Sequence, residues 1–480
     1  MKRARLSDLV QRNLPVDPMI AGVTADSRCV KPGYLFAALP GSTEDGRRFV
    51  HEALAGGAAA VLCGEAIHDI GTPVVQAFDP RRVYALAAAA FHGRQPKVIV
   101  AVTGTNGKTS VATFCRQIFA SLDRASASMG TLGISTGEVQ LTPPGLTTPD
   151  AGVVAEHLAQ LADLGITHLA LEASSHGIHQ RRLDGVRLTA AAFLNLTQDH
   201  LDYHLTMEAY RAAKLRLFDT LLPRGATAVL NADSDACGAF AAAAVTGGRT
   251  LMTFGAMGQG LTLARRRLSP RGQRLEIIAW GQRREVRLPL MGAFQTANAL
   301  AAAGLCIAAG EKPDAVIAAL ETLQGAPGRL QRIGAGPRGG EAFVDYAHTP
   351  DGLRTVLDAL RPHAKGRLLV VFGAGGDRDR DKRAKMGAVA AALADVALVT
   401  DDNPRSEDPA AIRAQILAGA PGLVEVPGRR AAIAAAAGRL ETGDILVVAG
   451  KGHEQGQIIG ATVEPFDDVV ETRLALGLGD

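Results

Sequence analysis

Short apolar runs alternate along this chain with longer segments rich in alanine and leucine. Each run ends at a glycine or a polar turn and is followed by a segment with helical spacing. A run of four to six apolar residues bounded by turn residues is typical of a strand buried on both faces. Strands that alternate with helices predict parallel sheets covered by helices, which is an α/β fold. The predicted strands are residues 98–102, 168–171, 226–230, 367–372, 396–399 and 444–448.

Two clusters of turn-forming residues divide this pattern. HGRQPK (92–97) separates an alanine-rich segment from the strand at 98, and QGAPGR (324–329) precedes a new set of strands. Glycine and proline clusters of this kind mark turns or linkers. The length of 480 residues also suggests about three domains. We therefore expect three α/β domains, at 1–93, 94–325 and 326–480.

The composition narrows the class of protein. Hydrophobic residues make up 47% and the formal net charge is only +3, so the chain has no strongly basic character that would indicate nucleic-acid binding. The five cysteines form no C-x-x-C pair and fit reduced thiols better than a zinc site. Neither a signal peptide nor an apolar run of membrane-spanning length is evident. We expect a cytoplasmic protein that neither inserts into a membrane nor binds nucleic acid.

The stretch VIVAVTGTNGKTSVATF (98–114) has the outline of a phosphate-binding loop. It departs from G-x-x-x-x-G-K-[ST] because Val102 stands where the first glycine belongs. Glycines let backbone N–H groups approach phosphate oxygens, and the following helix adds its positive N-terminus. The lysine would reach the terminal phosphates and the threonine would ligate Mg²⁺. A plain glycine turn is the alternative. The loop residues are Gly104, Thr105, Asn106, Gly107, Lys108, Thr109 and Ser110.

Further motifs follow the loop in a fixed order over nearly the whole chain. They are LEASSHGIHQRR (171–182), NLTQDHLDYH (195–204), AYRAAKLRLF (209–218), GAFQTANALAA (292–302), GRLQ (328–331), DYAHTPDGL (345–353), GGDRDRDKR (375–383), DNPR (402–405) and GKGHE (450–454). This ordered set resembles the Mur ligase family, whose ATP loop has the shortened form T-G-T-N-G-K-T. Val102 is therefore expected in such a loop.

The resemblance implies an ATP-dependent amide ligase of peptidoglycan synthesis, and we expect it to be a monomer. Its fold would be a UDP-sugar-binding domain (1–93), a central P-loop ATPase-like domain (94–325) and a Rossmann-like amino-acid-binding domain (326–480). The motifs are most similar to those of ligases that join meso-diaminopimelate to UDP-N-acetylmuramoyl-L-alanyl-D-glutamate. In that reaction ATP phosphorylates the γ-carboxylate of D-glutamate, and an amine displaces the phosphate. Metal ions and lysines stabilise the two anions that must meet.

Four residues match the family's catalytic and metal-binding positions: Lys108, Glu172, His200 and Lys214, with Thr109 as a further metal ligand. Glu172 ends the strand HLALE, where a carboxylate can bind Mg²⁺ or be an ordinary surface group. Lys214 would be a solvated helix lysine by composition alone. In the family the matching lysine is carbamylated by CO₂, and burial or a nearby cation favours the neutral amine which that reaction needs.

The resemblance also assigns residues to ATP and to the UDP-linked peptide. Asn298 matches an adenine-contacting asparagine, and Arg329 and His348 match residues that reach ATP. The family often has asparagine where this chain has Gln295, and usually asparagine where it has Leu146. The residues implied for the UDP-linked peptide are Ala25, Ser27, Ser42, Thr43, Thr147, Thr148, Ser174, Gln180 and Arg182.

DNPR follows the predicted strand at 396–399 and so lies at the carboxyl edge of a sheet. Asn-Pro is also a common turn dipeptide. In the family this motif marks the ligases that add diaminopimelate, whose distal carboxylate an arginine can bind bidentately. An arginine left without that carboxylate would disfavour lysine. The residues implied for the amine are Arg378, Asp402, Asn403, Pro404, Arg405, Gly450 and Glu454.

Other functions stay open at this point. A lysine-adding homologue and a folylpolyglutamate synthetase-like ligase share the ATP loop, although DNPR opposes the first and the LEASSHG and DYAHTPD motifs fit the second poorly. A P-loop switch or motor protein would use the nucleotide only to change conformation. Turnover that depends on an amine separates the ligases from that class.

Overall fold

The computed structural model describes residues 2–41, 44–269 and 272–479. The chain forms two compact units, one of Met1–Thr262 with Leu300–Val316 and the other of Leu263–Ala299 with Ile317–Asp480. Within the described ranges, no helix combines the length and the hydropathy needed to cross a bilayer. Parallel sheets between helices confirm the predicted α/β class.

The first unit contains a small sheet and most of a large one. Its strands are β1 (Ala4–Arg5), β2 (Met19–Ile20), β3 (Gly22–Thr24), β4 (Tyr34–Ala38), β5 (Ala60–Cys63), β6 (Val74–Gln76), β7 (Val98–Thr103), β8 (Ser126–Gly130), β9 (Gly133–Ser135), β10 (Gln140–Thr142), β11 (His168–Glu172), β12 (Ala190–Phe193), β13 (Thr227–Asn231) and β14 (Thr250–Gly255). Its helices are α1 (Leu6–Val10), α2 (Val50–Ala55), α3 (Pro80–His92), α4 (Lys108–Ser121), α5 (Ala151–Asp163), α6 (Ser175–His179), α7 (Leu201–His204), α8 (Met207–Arg216) and α9 (Cys237–Thr246). Shorter helical turns lie at Ser27–Cys29, Gly46–Phe49 and Leu217–Leu221.

Two sheets organise this unit. The small one is parallel, with the order β3-β4-β5-β6. In the large one, β8, β11, β7, β12, β13 and β14 lie side by side in that order and are parallel. β7 is central, and its residues from Ile99 to Thr103 are buried. The carboxyl ends of β7 and β11 are therefore neighbours, and the phosphate loop and Glu172 follow from them.

Helix α4 begins directly after the phosphate loop. Gly107 precedes it with φ of +91°, a left-handed conformation that glycine adopts without a steric penalty. Val111, Phe114 and Ile118 recur at helical spacing on one side and are fully buried. The turn therefore closes against a helix that is anchored by its apolar face.

Three elements contribute residues to both units: β15 (Leu261–Ser269), α10 (Ala293–Ala308) and α11 (Pro313–Ala319). The remaining strands of the second unit are β16 (Gly272–Ala279), β17 (Gln282–Leu288), β18 (Gln331–Ala335), β19 (Glu341–Asp345), β20 (Leu368–Phe372), β21 (Val396–Val399), β22 (Val424–Glu425), β23 (Ile445–Ala449), β24 (Gly456–Ile459) and β25 (Thr462–Pro465). Its helices are α12 (Pro350–Leu360), α13 (Asp381–Leu393), α14 (Pro409–Leu417), α15 (Arg429–Ala437) and α16 (Asp468–Ala475), with short turns at Leu320–Thr322 and Arg361–His363.

A six-stranded sheet of order β18-β19-β23-β20-β21-β22 forms the centre of the second unit. β18 is antiparallel to its neighbour, and the other strands are parallel. Along β20, Leu368, Val370 and Phe372 belong to one apolar core, whereas Leu369 and Val371 belong to another. The strand is thus buried on both faces, as its unbroken apolar run predicts.

All six predicted strands are confirmed, and each begins and ends within one residue of the prediction. The helix expected to begin near Lys108 does begin there. The segment around Lys214 is helix α8, followed by a wider turn at Leu217–Leu221. The division into domains at 1–93, 94–325 and 326–480 stays a prediction.

Candidate active site

The phosphate loop packs closely on the segment that follows β12. A Cβ on Gly104 would lie 2.9 Å from Leu194 Cβ and 3.3 Å from the backbone nitrogen of Asn195. That approach is too short for an ordinary side chain, so glycine at 104 allows the two segments to pack this closely.

Asn195 fixes the loop with two hydrogen bonds. Its Oδ1 accepts one from the Asn106 backbone N–H at 2.9 Å, and its Nδ2 donates one to the Asn106 carbonyl oxygen at 3.1 Å. The Thr105 hydroxyl oxygen accepts from the Thr197 N–H at 3.0 Å. The sequence prediction did not single out Asn195, although its motif follows a buried strand at the ligand-binding edge of the sheet.

Glu172 lies at the end of β11, with 2% of its surface exposed. Oε2 accepts hydrogen bonds from the hydroxyls of Thr109 at 3.0 Å and Thr131 at 3.3 Å. Oε1 accepts one from the Thr131 N–H at 3.0 Å. A Cβ on Gly130 would come within 2.0 Å of Oε1, so glycine makes room for the carboxylate. Thr131 is a second residue that the sequence prediction missed.

Thr109 and Glu172 supply hard oxygen atoms, which suit Mg²⁺. Among the described residues, no three His, Cys, Asp or Glu side chains converge closely enough to hold a metal ion by themselves. Mg²⁺ is commonly bound through one or two carboxylates together with substrate phosphates and water. The pair therefore fits a magnesium ion that is shared with a bound nucleotide.

Two lysines meet beneath the loop. Lys214 is 1% exposed, and its ammonium donates to the Gly104 carbonyl oxygen at 2.9 Å. Lys108 donates to the same oxygen at 2.9 Å. Burial, and secondly the charge of Lys108, lower the pKa of Lys214 well below its ordinary value. The neutral amine that carbamylation requires is thus favoured, so the surroundings of Lys214 fit that modification.

Tyr210 closes the other side of this lysine. The Lys214 ammonium lies 4.5 Å from the centre of the Tyr210 ring, and the Tyr210 hydroxyl is 3.2 Å from Thr105 Oγ1. Burial raises the pKa of Tyr210 to about 12. The phenol therefore stays protonated and packs helix α8 against the loop.

His200 belongs to a cluster of aromatic side chains next to this site. Its backbone is left-handed, with φ of 53°, and its ring centroid is 4.9 Å from that of His176. His176 in turn lies 4.1 Å from Tyr203 and 5.4 Å from His204. Burial lowers the pKa of His200. A neutral imidazole is the form that can ligate a metal ion.

Three of the residues expected to bind the UDP-linked peptide, Thr147, Thr148 and Ser174, lie near the end of strand β11. Thr148 is 1% exposed and donates to the Glu172 carbonyl oxygen at 3.0 Å. Ser174 Oγ caps helix α6 by accepting from the Gly177 N–H at 3.1 Å. Thr147 shares a hydrogen bond with Thr131 at 2.8 Å. Thr148 and Ser174 are thus engaged in shaping the end of β11.

Gln180 and Arg182 are linked to each other. Arg182 Nη2 donates to Gln180 Oε1 at 2.7 Å, and Gln180 Nε2 donates to the Tyr203 hydroxyl at 3.0 Å. In the small sheet's domain, Ser27 Oγ donates to Glu52 Oε2 at 3.0 Å, and Ala25 packs partly buried against the apolar core. Ser42 and Thr43 lie outside the described residues.

In the second unit, Asn298 and Arg329 are joined through Gln295. Asn298 Nδ2 donates to Gln295 Oε1 at 3.1 Å, and Gln295 Nε2 lies 3.5 Å from the Arg329 carbonyl oxygen. The guanidinium of Arg329 lies 4.5 Å from the centre of the Tyr346 ring. Glutamine in place of the family's asparagine thus provides the link between these two predicted ATP-binding residues.

His348 follows a buried carboxylate. Asp345 accepts hydrogen bonds from the N–H groups of Leu330 at 2.6 Å and Ala347 at 2.8 Å, and burial raises its pKa to about 6. His348 is exposed, and its Nδ1 lies 2.8 Å from the Tyr346 carbonyl oxygen; partial loss of water around the ring lowers its pKa. The loop after β19 is therefore fixed by Asp345, and His348 is held at its surface.

Arg405 has a left-handed backbone, with φ of 52°. Such a conformation is costly for a long side chain unless neighbours hold it. Here the Arg405 N–H donates to Ile458 O at 3.0 Å, and its carbonyl accepts from Gly460 N at 2.8 Å. One guanidinium nitrogen, Nη1, donates to the Gly376 carbonyl oxygen at 2.7 Å. The hairpin of β24 and β25 thus holds this arginine against the GGDRD loop.

Arg378 lies on the GGDRD loop and is exposed. That loop is tied to the DNPR loop because Asp377 accepts from the Ser406 hydroxyl at 2.6 Å. Fully buried Arg383 donates to both carboxylate oxygens of Glu407 at 2.9 Å. Arg378 and Arg405, the two arginines predicted to bind a carboxylate, therefore lie on loops that are hydrogen-bonded to each other.

Asn403 connects the DNPR and GKGHE loops. Its Oδ1 accepts from Lys451 Nζ at 2.9 Å and from the Ile458 N–H at 3.0 Å, and its Nδ2 donates to Glu454 Oε2 at 2.9 Å. Pro404 is buried beside it. The Asn403 side chain, predicted to bind substrate, is thus occupied within the protein.

Lys451 is the residue that the sequence prediction missed in this unit. Its side chain is fully buried and lies 3.8 Å from Asp402 and 3.2 Å from Glu454. The available signal was a lysine two residues after a buried strand, inside a predicted ligand motif. Behind it, buried Arg429 donates to Asp468 at 2.7 and 2.6 Å and to the Ala449 carbonyl oxygen at 3.0 Å.

The cluster around the phosphate loop and the cluster around Arg405 suit different ligands. The first offers a glycine-rich loop, lysines and a carboxylate, which suit a nucleoside triphosphate with Mg²⁺. The second presents a guanidinium on Arg405 and a carboxylate on Glu454 from loops that follow parallel strands. A positive and a negative group at one sheet edge suit an amino acid that carries both charges.

Comparison with known proteins identifies relatives along nearly the whole chain. Three families match: the Mur ligase family catalytic domain at residues 19–100, the Mur ligase middle domain at 102–306, and the Mur ligase glutamate ligase domain at 328–452. The UDP-N-acetylmuramoyl-L-alanyl-D-glutamate–2,6-diaminopimelate ligase of Caulobacter vibrioides is 66% identical, with 98% of each chain covered. The enzyme of the same name from Rhizobium meliloti is 51% identical over 95% of this chain and 94% of its own. A solved structure of a ligase with that name is 34% identical, with a TM-score of 0.75 and 99% of each chain covered.

Proposed function

The chain belongs to the Mur ligase family, and we propose that it joins meso-diaminopimelate to UDP-N-acetylmuramoyl-L-alanyl-D-glutamate with the hydrolysis of ATP. The new amide bond forms at the γ-carboxylate of D-glutamate, and the product serves peptidoglycan synthesis. Identity of 66% over 98% of the chain with a ligase of that name supports the substrates. The enzyme is an ATP-dependent ligase of this family.

The observation that carries the choice of amine is the cluster around Arg405. Its guanidinium and the Glu454 carboxylate stand on two loops that Asn403 and Lys451 join. Diaminopimelate has a distal carboxylate and a distal ammonium, so one group can pair with Arg405 and the other with Glu454. Lysine lacks the carboxylate and would leave the arginine without an anion, which disfavours its binding. Arg378 on the adjoining loop provides a second guanidinium.

The phosphate loop performs the activation step. Its backbone N–H groups and the start of α4 bind the phosphates of ATP, and Lys108 neutralises the terminal phosphate. The substrate carboxylate attacks that phosphorus atom, ADP leaves, and an acyl phosphate forms. The amine then attacks the acyl carbon, and inorganic phosphate leaves. Asn298, Arg329 and His348 contact the nucleotide in this proposal.

The Thr109 hydroxyl and the Glu172 carboxylate would hold Mg²⁺, with His200 as a further candidate ligand. When bound, it supplies positive charge that lets two anionic groups approach each other. Lys214 would carry a carbamate, because burial and the charge of Lys108 lower the pKa of its amine and so favour the neutral form that reacts with CO₂. A carbamate changes the side chain from a cation to an anion and so adds an oxygen ligand next to the loop.

The remaining assignments follow from the same family. The UDP-linked peptide would be bound by Ala25, Ser27, Thr147, Gln180 and Arg182, with Thr148 and Ser174 shaping the surface beneath it. We propose domain boundaries at 93 and 325, a monomeric enzyme and a cytoplasmic location, because ATP and UDP-linked precursors are available there.

One assay tests the function. Phosphate release is measured with ATP and UDP-N-acetylmuramoyl-L-alanyl-D-glutamate, with and without meso-diaminopimelate, lysine or other amines. Release that depends on diaminopimelate is expected. Equal turnover with lysine would contradict the specificity, and ATP hydrolysis that ignores both added substrates would contradict the ligase.

A folylpolyglutamate synthetase-like ligase is disfavoured. Solved structures of such enzymes share the fold at 20% identity and cover 77% of this chain, which is evidence about the fold alone. Turnover with a pteridine-linked glutamate in place of the UDP-linked peptide would restore that alternative.

A further inference from the structure

The ammonium of Lys451 is buried between three polar partners. The side chain has no exposed surface, and Nζ lies 2.9 Å from Asn403 Oδ1, 3.2 Å from Glu454 Oε2 and 3.8 Å from Asp402 Oδ1. Burying a charge is costly unless the surroundings pair with it and bond to it. All three partners belong to the DNPR and GKGHE motifs, so this charge is balanced entirely by the candidate amine site.

Glu454 is held by one of its two oxygens. Oε2 accepts hydrogen bonds from Asn403 Nδ2 at 2.9 Å and from Lys451 Nζ at 3.2 Å. Among the described residues, none donates a hydrogen bond to Oε1, and the side chain is 34% exposed. A carboxylate bound through one oxygen keeps a fixed direction while the other oxygen remains able to accept a ligand's N–H group.

The backbone around Lys451 leaves the lysine little freedom to move. Gly450 has φ of +124°, and a Cβ there would lie 2.7 Å from Asp402 Oδ2. On the other side, a Cβ on Gly452 would lie 2.8 Å from the Gly328 carbonyl oxygen. The preceding carbonyl, of Ala449, accepts a hydrogen bond from buried Arg429 at 3.0 Å. The backbone on both sides of Lys451 is therefore held in place, and this fixes the position from which its side chain reaches Glu454.

We propose that Lys451 is a positioning residue for amine recognition, which fixes Oε2 of Glu454 so that Oε1 faces the ammonium of the incoming amino acid. This inference rests on the proposed function, in which Glu454 binds the distal ammonium of diaminopimelate. Lys451 itself does not touch the substrate. It acts by directing Glu454 and by holding Asn403, which carries the second donor to the same oxygen.

Lysine suits this position for reasons of size and geometry. Its ammonium is compact and directs three donors to three separate acceptors. A methionine would fill the same space without charge and would leave Asn403 Oδ1 and Glu454 Oε2 each short of one donor. A glutamine retains a donor and should preserve part of the arrangement.

The test is a double-mutant cycle between Lys451 and Glu454. Lys451→Met, Lys451→Gln, Glu454→Gln and the double variant Lys451→Met with Glu454→Gln are compared with the wild type. The KM for diaminopimelate, the KM for ATP and kcat are measured by phosphate release. Lys451→Met and Glu454→Gln should each raise the KM for diaminopimelate about tenfold, with Lys451→Gln between them and the wild type. The double variant should be no worse than either single one, because the lysine acts through the glutamate.

Arg367→Met is the matched control. Arg367 pairs with buried Asp444 at 2.6 Å, at the opposite end of strand β23. The substitution removes the cation that pairs with a buried carboxylate and leaves the DNPR and GKGHE motifs unchanged. The thermal midpoint should fall, and the KM for diaminopimelate should stay within about twofold of the wild type.

Three results would overturn the proposal. The first is an unchanged KM for diaminopimelate in folded Lys451→Met, and the second is additive losses in the double variant. The third is failure of both Lys451 variants to fold, which would make the lysine a stability residue. Failure of the proposed function gives a different result, since the wild type would then show no dependence on diaminopimelate. If the wild type uses another amine, the same cycle is measured with that amine.

Discussion

The Thr109 hydroxyl donates a hydrogen bond to Glu172 Oε2 at 3.0 Å, which joins the first turn of helix α4 to the end of strand β11. A phosphate loop and a buried carboxylate are thereby fixed next to each other before any ligand binds. Because both groups offer oxygen atoms, we expect them to share one magnesium ion.

Glu172→Gln should lower kcat about a hundredfold or more and raise the Mg²⁺ concentration needed for half-maximal activity. The amide can still accept the Thr109 hydrogen bond but lacks the negative charge. Phosphate release as a function of Mg²⁺ concentration measures both effects. Thr131→Val removes a hydrogen bond to Glu172 and keeps the charge, so it should have a much smaller effect. Equal losses in the two variants would show that geometry matters more than charge.

Asn195→Ala should raise the KM for ATP about five- to tenfold, because the Asn106 backbone loses both of its hydrogen bonds to the Asn195 side chain. The KM for diaminopimelate should change little. Gln198→Ala, an exposed residue of the same motif, is the control. An unchanged KM for ATP would mean that the loop is held well enough by Thr105 and Thr197.

Lys214→Ala should abolish most of the activity, and short carboxylic acids such as acetate or formate should restore part of it. The physical reason is that the substitution leaves a space where an added carboxylate can replace the carbamate. Arg211→Ala, an exposed cation on the same helix, should remain active. Absence of rescue over a range of acid concentrations would count against the carbamate.

Arg405→Ala should raise the KM for diaminopimelate about a hundredfold and leave the KM for ATP nearly unchanged. The ratio of kcat/KM for diaminopimelate to that for lysine should also fall, because lysine has no distal carboxylate to pair with the guanidinium. Steady-state kinetics with each amine measures both quantities. Arg378→Ala is expected to act in the same direction but less strongly, and Arg354→Ala, exposed on α12, should be neutral. A defect confined to ATP would contradict the assignment.

Burial of His204 should make the fold sensitive to acid. Burial lowers its pKa from 6.5 to about 4. Between those values the unfolded chain binds more protons than the native one, so the free energy of unfolding decreases as the pH falls through this window. The decrease from this group alone should reach about 3 kcal/mol near pH 4 and be absent above pH 7.

Urea unfolding at pH 7.5 and pH 5 tests this effect. In His204→Gln the difference in unfolding free energy between the two conditions should be smaller than in the wild type. His68→Gln, an exposed histidine, is the control and should match the wild type. Equal pH dependence in all three proteins would mean that His204 is protonated in the native state.

Six strands of the two large sheets could be predicted because their apolar runs are buried and are bounded by turn residues. Glu172 could be placed at a sheet edge for the same reason. Lys214 could not be recognised from its helix, because the carbonyl that it bonds belongs to Gly104, 110 residues earlier. Only the resemblance to a family separated it from a solvated lysine.

Asn403 shows the opposite case. The sequence predicts that it belongs to a ligand-binding motif, whereas in the structure its side chain bonds Lys451, Ile458 and Glu454. A motif identifies residues that occur together. It does not distinguish a side chain that binds the ligand from one that forms hydrogen bonds to neighbouring residues. That distinction depends on side-chain hydrogen bonds, which only the folded chain reveals.

The ion pair between Arg429 and Asp468 limits how the end of this chain can be altered. Both side chains are fully buried, and Arg429 also bonds the carbonyl that precedes the GKGHE loop. A protease that cut ahead of helix α16 would leave a guanidinium without its anion directly behind Lys451, and amine selection would be lost although no proposed ligand contact had been removed. A tag appended after Asp480 removes no residue of that pair. Fusion proteins and truncation series should therefore keep residues 466–479 unbroken.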